Sequence, residues 1–231
     1  MLEEEGVPVE CVAGTSAGSL IGSLFCAGHK WREIRDLARE FDWADLITPT
    51  WPRLGIICAD KLERALDERL SHVRFEDLRI PFRAVTVDIE SGEEVVLHEG
   101  PVAPAVRASC SIPGIFEPVE LAGRMLVDGG LVNDVPISVV REMGAECVLA
   151  VDLNADRVVP RRPANLMDVF YRSLNILVYE NARRSRDRAE VTVIPALEGF
   201  ARHDLTRLDE LVAAGEHAMR EKLGELRALT A

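Results

Sequence analysis

The chain has 231 residues, 48% of them hydrophobic and 29% charged, which suits one domain with a sizeable core and excludes collagen-like, low-complexity and wholly disordered chains. Lysine and arginine number 27 against 39 aspartates and glutamates, for a formal net charge of −12; such a surface repels phosphate backbones, so no nucleic acid is expected as a partner. Five cysteines, Cys11, Cys26, Cys58, Cys110 and Cys147, are scattered without a C-x-x-C pair, the pattern of buried thiols in a reducing compartment with neither a disulfide frame nor a metal site.

The opening Met1-Leu2-Glu3-Glu4-Glu5 has none of the basic and apolar regions of a secretory leader, and a cytoplasmic location is expected. Residues 11–28 contain no charge over 18 positions, the lower limit for a spanning helix. Gly14, Gly18, Gly22 and Gly28, with Thr15, Ser16, Ser19 and Ser23, leave too little apolar surface for that, and a buried strand, a sharp turn and a packed helix account for the same residues.

Short β-branched runs alternate with helical periods. The runs predict strands over 7–13, 82–88, 94–98, 125–127, 147–152 and 190–194. Val148-Leu149-Ala150-Val151 is apolar on both faces, as a strand covered on each side would be. Helices are predicted over 17–27, 31–41, 61–70, 136–143, 166–188 and 205–226. Asp60 and Glu63 have the spacing of a capping box, and Pro136 and Gly144 fit a first helical position and a stop. Ser91-Gly92 joins two β-runs as a hairpin. The fold class expected is α/β, a three-layer sandwich with a mostly parallel central sheet, and no linker divides the chain.

The chemistry concentrates where the first strand runs into Gly14-Thr15-Ser16-Ala17-Gly18 and then a helix. Strand, G-x-S-x-G, helix is the setting of a nucleophile elbow: Gly14 and Gly18 relieve crowding while a tight turn presents the Ser16 hydroxyl at a helix N-terminus, with the Ala17 N–H as an oxyanion donor. Tight packing, or phosphate binding through backbone amides, would explain the same glycines. A serine hydroxyl needs a base. Asp88, Asp128 and Asp152 each end a predicted strand, and Asp128 is followed by Gly129-Gly130, which would turn the backbone away from its carboxylate or simply make a D-G turn. His203 and His217 follow Asp128 in the order of a triad, but both sit in polar or amphipathic stretches typical of surface histidines. His29, His72 and His98 show no metal spacing.

Gly14-Thr15-Ser16-Ala17-Gly18, then Ala108-Ser109-Cys110-Ser111-Ile112-Pro113-Gly114-Ile115-Phe116-Glu117-Pro118, then Asp128-Gly129-Gly130 with Asn133 and Pro136, resemble in order and spacing the patatin-like phospholipases, particularly the small bacterial members. The resemblance covers residues 1–200 and treats the chain as a single patatin-like domain. It implies a serine lipid acyl hydrolase of the phospholipase A or esterase kind, working on a lipid or ester substrate. A Ser-Asp dyad without histidine follows from it: Ser16 as nucleophile, Asp128 as base, an acyl-serine intermediate, and no metal or organic cofactor. Ile115 and Phe116 would offer apolar surface to an acyl chain from a loop and short helix over 108–118, or pack in the core.

The family ordinarily opens with a strand and a glycine-rich G-G-G-x-R-G loop whose amides complete the oxyanion hole. Met1-Leu2-Glu3-Glu4-Glu5-Gly6 resembles the end of the helix that follows that loop, so the domain is expected to be N-terminally incomplete relative to the family. Losing one oxyanion donor costs about 2.7 to 4 kcal/mol, so a catalytically impaired form, or a binding or regulatory module on the same scaffold, is the alternative reading. An unpaired strand edge there would favour self-association. Arg161, Arg162 and the run Arg183-Arg184-Ser185-Arg186-Asp187-Arg188 are either a solvated helix end or a docking patch for anionic lipid, and Trp31, Trp43 and Trp51 either packed groups or anchors at a membrane surface.

Overall fold

A computed structural model describes residues 1–40, 48–51, 53–155, 162–200 and 205–230. In chain order the elements are α1 (Leu2–Glu5), β1 (Val12–Thr15), α2 (Ala17–Ala27), α3 (Trp31–Glu40), β2 (Thr48–Pro49), β3 (Ile57–Cys58), α4 (Asp60–Arg69), β4 (Phe82–Asp88) and β5 (Glu94–Leu97). They continue with α5 (Val102–Ser109), β6 (Val119–Leu121), β7 (Arg124–Asp128), α6 (Ile137–Glu142), β8 (Leu149–Val151), α7 (Leu166–Arg186), β9 (Val191–Val193) and α8 (Leu208–Thr230). The residues gather into two compact units, 10–132 and 1–9 with 133–231.

The unit of residues 10–132 is built on a five-stranded sheet in the order β1-β4-β7-β6, with β5 also on β4. The pairing is mixed: β1 runs parallel to β4, while β5 and β7 run antiparallel to it and β6 antiparallel to β7. β4 is the hub because it is apolar on both faces. Phe82 and Ala84 on one side and Val85 and Val87 on the other are all buried, so both faces of this strand are covered, as in a sandwich. Leu24 and Cys26 of α2, Ile34 of α3, Leu66 of α4 and Val102, Ala105 and Val106 of α5 pack with Phe82 and Ala84 in the main core. The Phe75 and Phe82 rings stack there at 5.8 Å.

In the other unit β8 and β9 pair in parallel. Val191 and Val193 meet Ala218, Met219, Leu223 and Leu226 of α8, and Val148 and Ala150 meet Ile137 and Ala182. The α/β character expected from the sequence is therefore present, its parallel pairing residing in β1 with β4 and β8 with β9. Among the described residues no helix is long and apolar enough to cross a membrane.

The expected helices and strands recur with shifts that have local causes. The first strand spans 12–15 and not 7–13, because its ladder starts where Val12 N–H donates to Pro81 O and Pro8 has no N–H to contribute. The capping box does not form. Ala59 is the N-cap of α4, and Asp60 and Glu63 instead grip Arg107 at 2.9 and 3.0 Å. Pro136 is the N-cap of α6 and not its first residue, whereas Gly144 follows the helix end with φ +97° as expected. The Ser91-Gly92 hairpin forms, with Gly92 at φ +76° and its N–H on Asp88 O.

Helix α5 has no counterpart in the expectations, which placed a loop and short helix over 108–118. Its two prolines masked it, yet Pro101 is the N-cap and Pro104 lies in the first turn, where a missing N–H costs nothing. The short β2, β3 and β6 also escaped a reading that depends on alternation over four or more residues. Trp43, Arg161 and His203 lie outside the described residues.

Candidate active site

Ser16 stands where β1 passes into α2, in a backbone conformation of φ 52° and ψ −122°. A positive φ is costly for a residue with a Cβ, on the order of 1–3 kcal/mol, and persists only where the surroundings enforce it. Three contacts enforce it here. A Cβ at Gly14 would fall 2.4 Å from Gly18 O, so only glycine lets the strand end and the helix start touch. Ser16 O accepts the N–H groups of Ser19 and Leu20 and the Ser19 hydroxyl at 2.7 Å. Ser16 N–H donates to the Ser109 hydroxyl at 2.9 Å, and that hydroxyl donates to Val85 O at 2.7 Å. Gly18 differs from Gly14, since a Cβ there would meet nothing within 4 Å.

As N-cap of α2, Ser16 makes no side-chain capping bond, so its hydroxyl is not spent on the helix. The N–H groups of Ala17 and Gly18 precede the first helical hydrogen bonds, those of Ser19 and Leu20. Both residues are exposed. Two free amides at a helix N-terminus are suited to a developing oxyanion.

Sheet register brings Asp128 to the same level. Thr15 of β1 is opposite Val85, and Asp128 of β7 is opposite Thr86, the next residue of β4; β5 covers the other edge of β4 at 84–87, so β1 and β7 share one edge. Ser16, the residue after Thr15, and Asp128 thus occupy adjoining positions along one edge of β4, where the end of β1 meets the end of β7. Asp128 is 8% exposed; it ends β7 and caps the 3-10 turn Gly129–Leu131 by accepting Gly130 N–H at Oδ1, 2.8 Å away. Gly129 is obligatory, because a Cβ there would lie 2.5 Å from Val85 O.

The tripeptide Ser109-Cys110-Ser111, at the end of α5, ties the two together. Ser109 holds Ser16 N–H as described, and Ser111 O accepts Asp128 N–H at 2.9 Å. Between them, Cys110 Sγ lies 3.9 Å from Ser19 Oγ. Burial, and secondarily the negative charge of Asp128, push the Cys110 thiol up to about 12, against opposing hydrogen bonds from Ser19 and Ser16. One thiol therefore senses both the Ser16 hydroxyl and the Asp128 carboxylate. This clamp was not anticipated as a positioning device, although its residues stood in the family motif.

The other candidates have different occupations. Asp88 caps the hairpin through Glu90 N–H and faces Arg124, while Asp152, in the other unit, accepts Asn154 N–H and pairs with Arg186. The described histidines sit on partners of their own: His29 on Arg69 O, His72 on Asp67, His98 on Val96 O and His217 on Glu221. Among the described residues no three His, Cys, Asp or Glu side chains cluster as metal ligands.

Ile115 and Phe116 are half-buried on the loop that leaves the clamp, and Phe116 bridges to Ile57 of β3. Of the basic run, Arg183 pairs with Glu180 and Arg186 with Asp152, leaving Arg184 and Arg188 exposed. Trp31 is covered by the Arg32 and Arg35 guanidinium groups at 4.5 and 5.3 Å, whereas Trp51 is exposed.

Residues 1–141 match the family model described as Patatin-like phospholipase. An uncharacterized NTE family protein of Mycobacterium tuberculosis is 33% identical over 166 residues, 71% of this chain and 46% of that protein. The human patatin-like phospholipase domain-containing protein 6 is 34% identical over 164 residues, 67% of this chain and 12% of that protein, and the rat protein 7 of the same series is 32% identical over the same length. The chain thus spans under half of the length of these relatives.

Proposed function

Because the chain belongs to the patatin-like phospholipase family, a family of lipid hydrolases, we propose that it is a serine acyl hydrolase of lipid esters whose nucleophile is Ser16 and whose general base is Asp128. The main support is the clamp 109–111, which bonds the backbone of both residues, together with the forced positive φ at Ser16. No histidine is required, since a carboxylate within reach of the hydroxyl can take its proton directly.

The reaction runs in two steps. Asp128 removes the Ser16 Oγ proton as the oxygen attacks the ester carbonyl; the tetrahedral oxyanion is met by the Ala17 and Gly18 amides. Collapse breaks the bond to the alcohol, which leaves with the proton held by Asp128, and an acyl-serine remains. Asp128 then deprotonates a water that attacks the acyl carbon, and the proton returns to Ser16 Oγ as the fatty acid departs. Ionic reactants and a strained elbow set before substrate arrives keep the reorganisation at each step small.

Labelling with a fluorophosphonate and mapping the modified residue tests the assignment. Phosphonylation at Ser16, its absence in Ser16→Ala, and a fall of at least about 10³-fold in ester hydrolysis in Asp128→Asn are the expected results. Label on another serine, or hydrolysis unchanged in Ser16→Ala, would overturn it.

A further inference from the structure

We propose that the β2-β3 hairpin tip is the element by which this protein sits on a zwitterionic phospholipid surface, inserting Trp51, Leu54 and Ile56 beside the loop that follows the 109–111 clamp. Trp51 is 84% exposed, the most exposed large apolar side chain among the described residues, and Leu54 and Ile56 are 60% and 44% exposed. Three such groups within six positions are more than scattered surface apolarity, and tryptophan is the residue that best spans an interface between headgroups and hydrocarbon.

Residues 55–57 of the hairpin are bonded to the loop 112–117. Thr50 N–H closes the hairpin on Ile56 O, and the Ile56 and Ile57 N–H groups both donate to Ile115 O at 3.0 and 2.9 Å. Glu117 N–H returns a bond to Ile57 O at 2.9 Å, and Gly55 lies so close that a Cβ would fall 2.5 Å from the Phe116 carbonyl carbon. Residues 112–117 begin immediately after Ser111, whose carbonyl holds Asp128. A surface gripped by the tip therefore meets the protein next to the loop that carries Ile115 and Phe116.

Charge selects the kind of surface. Residues 48–57 contain no acid and one base, Arg53, which is exposed, on a chain of net charge −12. The whole molecule is repelled by an anionic bilayer, while the guanidinium can meet the phosphate of a zwitterionic headgroup. Area argues against a second copy of the chain: the three side chains offer about 400 Å², near half of the roughly 800 Å² per partner of a stable interface.

This inference rests on the hydrolase reading only for its purpose, and its test does not need turnover. The Ser16→Ala chain is mixed with phosphatidylcholine vesicles carrying brominated acyl chains, which quench tryptophan at hydrocarbon depth. Quenching that disappears in Ser16→Ala/Trp51→Phe is expected, as is a loss of at least about tenfold in vesicle cosedimentation for Trp51→Ser/Leu54→Ser. With Ser16 intact, the same tip substitutions are expected to leave hydrolysis of a dispersed short-chain ester within about twofold. No quenching, quenching indifferent to Trp51→Phe, preference for anionic vesicles, or a concentration-dependent dimer abolished by the tip variant would each overturn the proposal. Failure of Ser16 to take a fluorophosphonate would instead sink the catalytic assignment and leave the quenching result standing.

Discussion

Replacing Ser109 by alanine removes a hydroxyl that is 0% exposed, accepts Ser16 N–H at 2.9 Å and donates to Val85 O at 2.7 Å. Each buried polar group left without its partner costs about 1–3 kcal/mol. Ser16 is half-buried and recovers part of its bond from water, so the pair together is worth about 2–4 kcal/mol. In a chain of this size about 1 kcal/mol shifts the midpoint by about 2–4 °C, which gives a fall of roughly 4–16 °C for Ser109→Ala. The elbow also loses the bond that fixes its N–H, and a displacement of about 1 Å at a nucleophile costs about 10²-fold in rate. Thermal unfolding followed by circular dichroism and hydrolysis of a dispersed nitrophenyl ester measure the two effects. Ser109→Cys, nearly isosteric with a weaker donor and acceptor, should fall between the two chains in both. Stability within about 0.5 kcal/mol of the parent and full activity in Ser109→Ala would refute the claim that this hydroxyl holds the turn.

Gly14→Ala and Gly129→Ala place a Cβ 2.4 Å from Gly18 O and 2.5 Å from Val85 O, and each should cost about 1–3 kcal/mol or more in urea unfolding; Gly18→Ala meets nothing within 4 Å and should stay within about 0.5 kcal/mol. Arg107 is 15% exposed between Asp60 and Glu63, so Arg107→Ala leaves two carboxylates facing each other and should cost about 1–3 kcal/mol, less at high salt because Asp60 is largely solvated. Burial pushes the Cys26 and Cys110 thiols from an ordinary 9.0 up to about 12. Between those limits the unfolded chain releases protons that the folded one keeps. Stability is therefore whole below about pH 9 and falls as pH rises toward 12; pH-dependent unfolding of Cys26→Ala should show a shallower fall.

Much of the site was legible because its pieces are local. Glycine at 14, the β-run before it and the helical period after it specify a tight turn around Ser16, since only glycine tolerates Gly18 O at that distance. The D-G-G run similarly announced a turn at Asp128, though only the resemblance to a known family preferred Asp128 to Asp88 and Asp152. The register that brings β1 and β7 end to end along one edge of β4 has no local signature, because pairing is a choice among strands remote in sequence. Helix α5 was missed for a related reason: Pro104 penalises a helix interior but not a first turn, and which of these it occupies depends on where the chain enters the helix.

By itself the sequence determined the mixed α/β character, the elbow, the D-G-G turn and the acidic surface, all of which follow from spacing and composition within a few residues. Tertiary structure alone decided that Ser109 and Ser111 hold the backbones of Ser16 and Asp128, that Asp60 and Glu63 serve Arg107 and not a helix cap, and that Trp51 faces solvent. Those outcomes depend on which buried polar group lies within hydrogen-bond reach of which donor, and segments about ninety residues apart along the chain, such as Ser16 and Ser109, come within that reach only once the sheet has closed around β4.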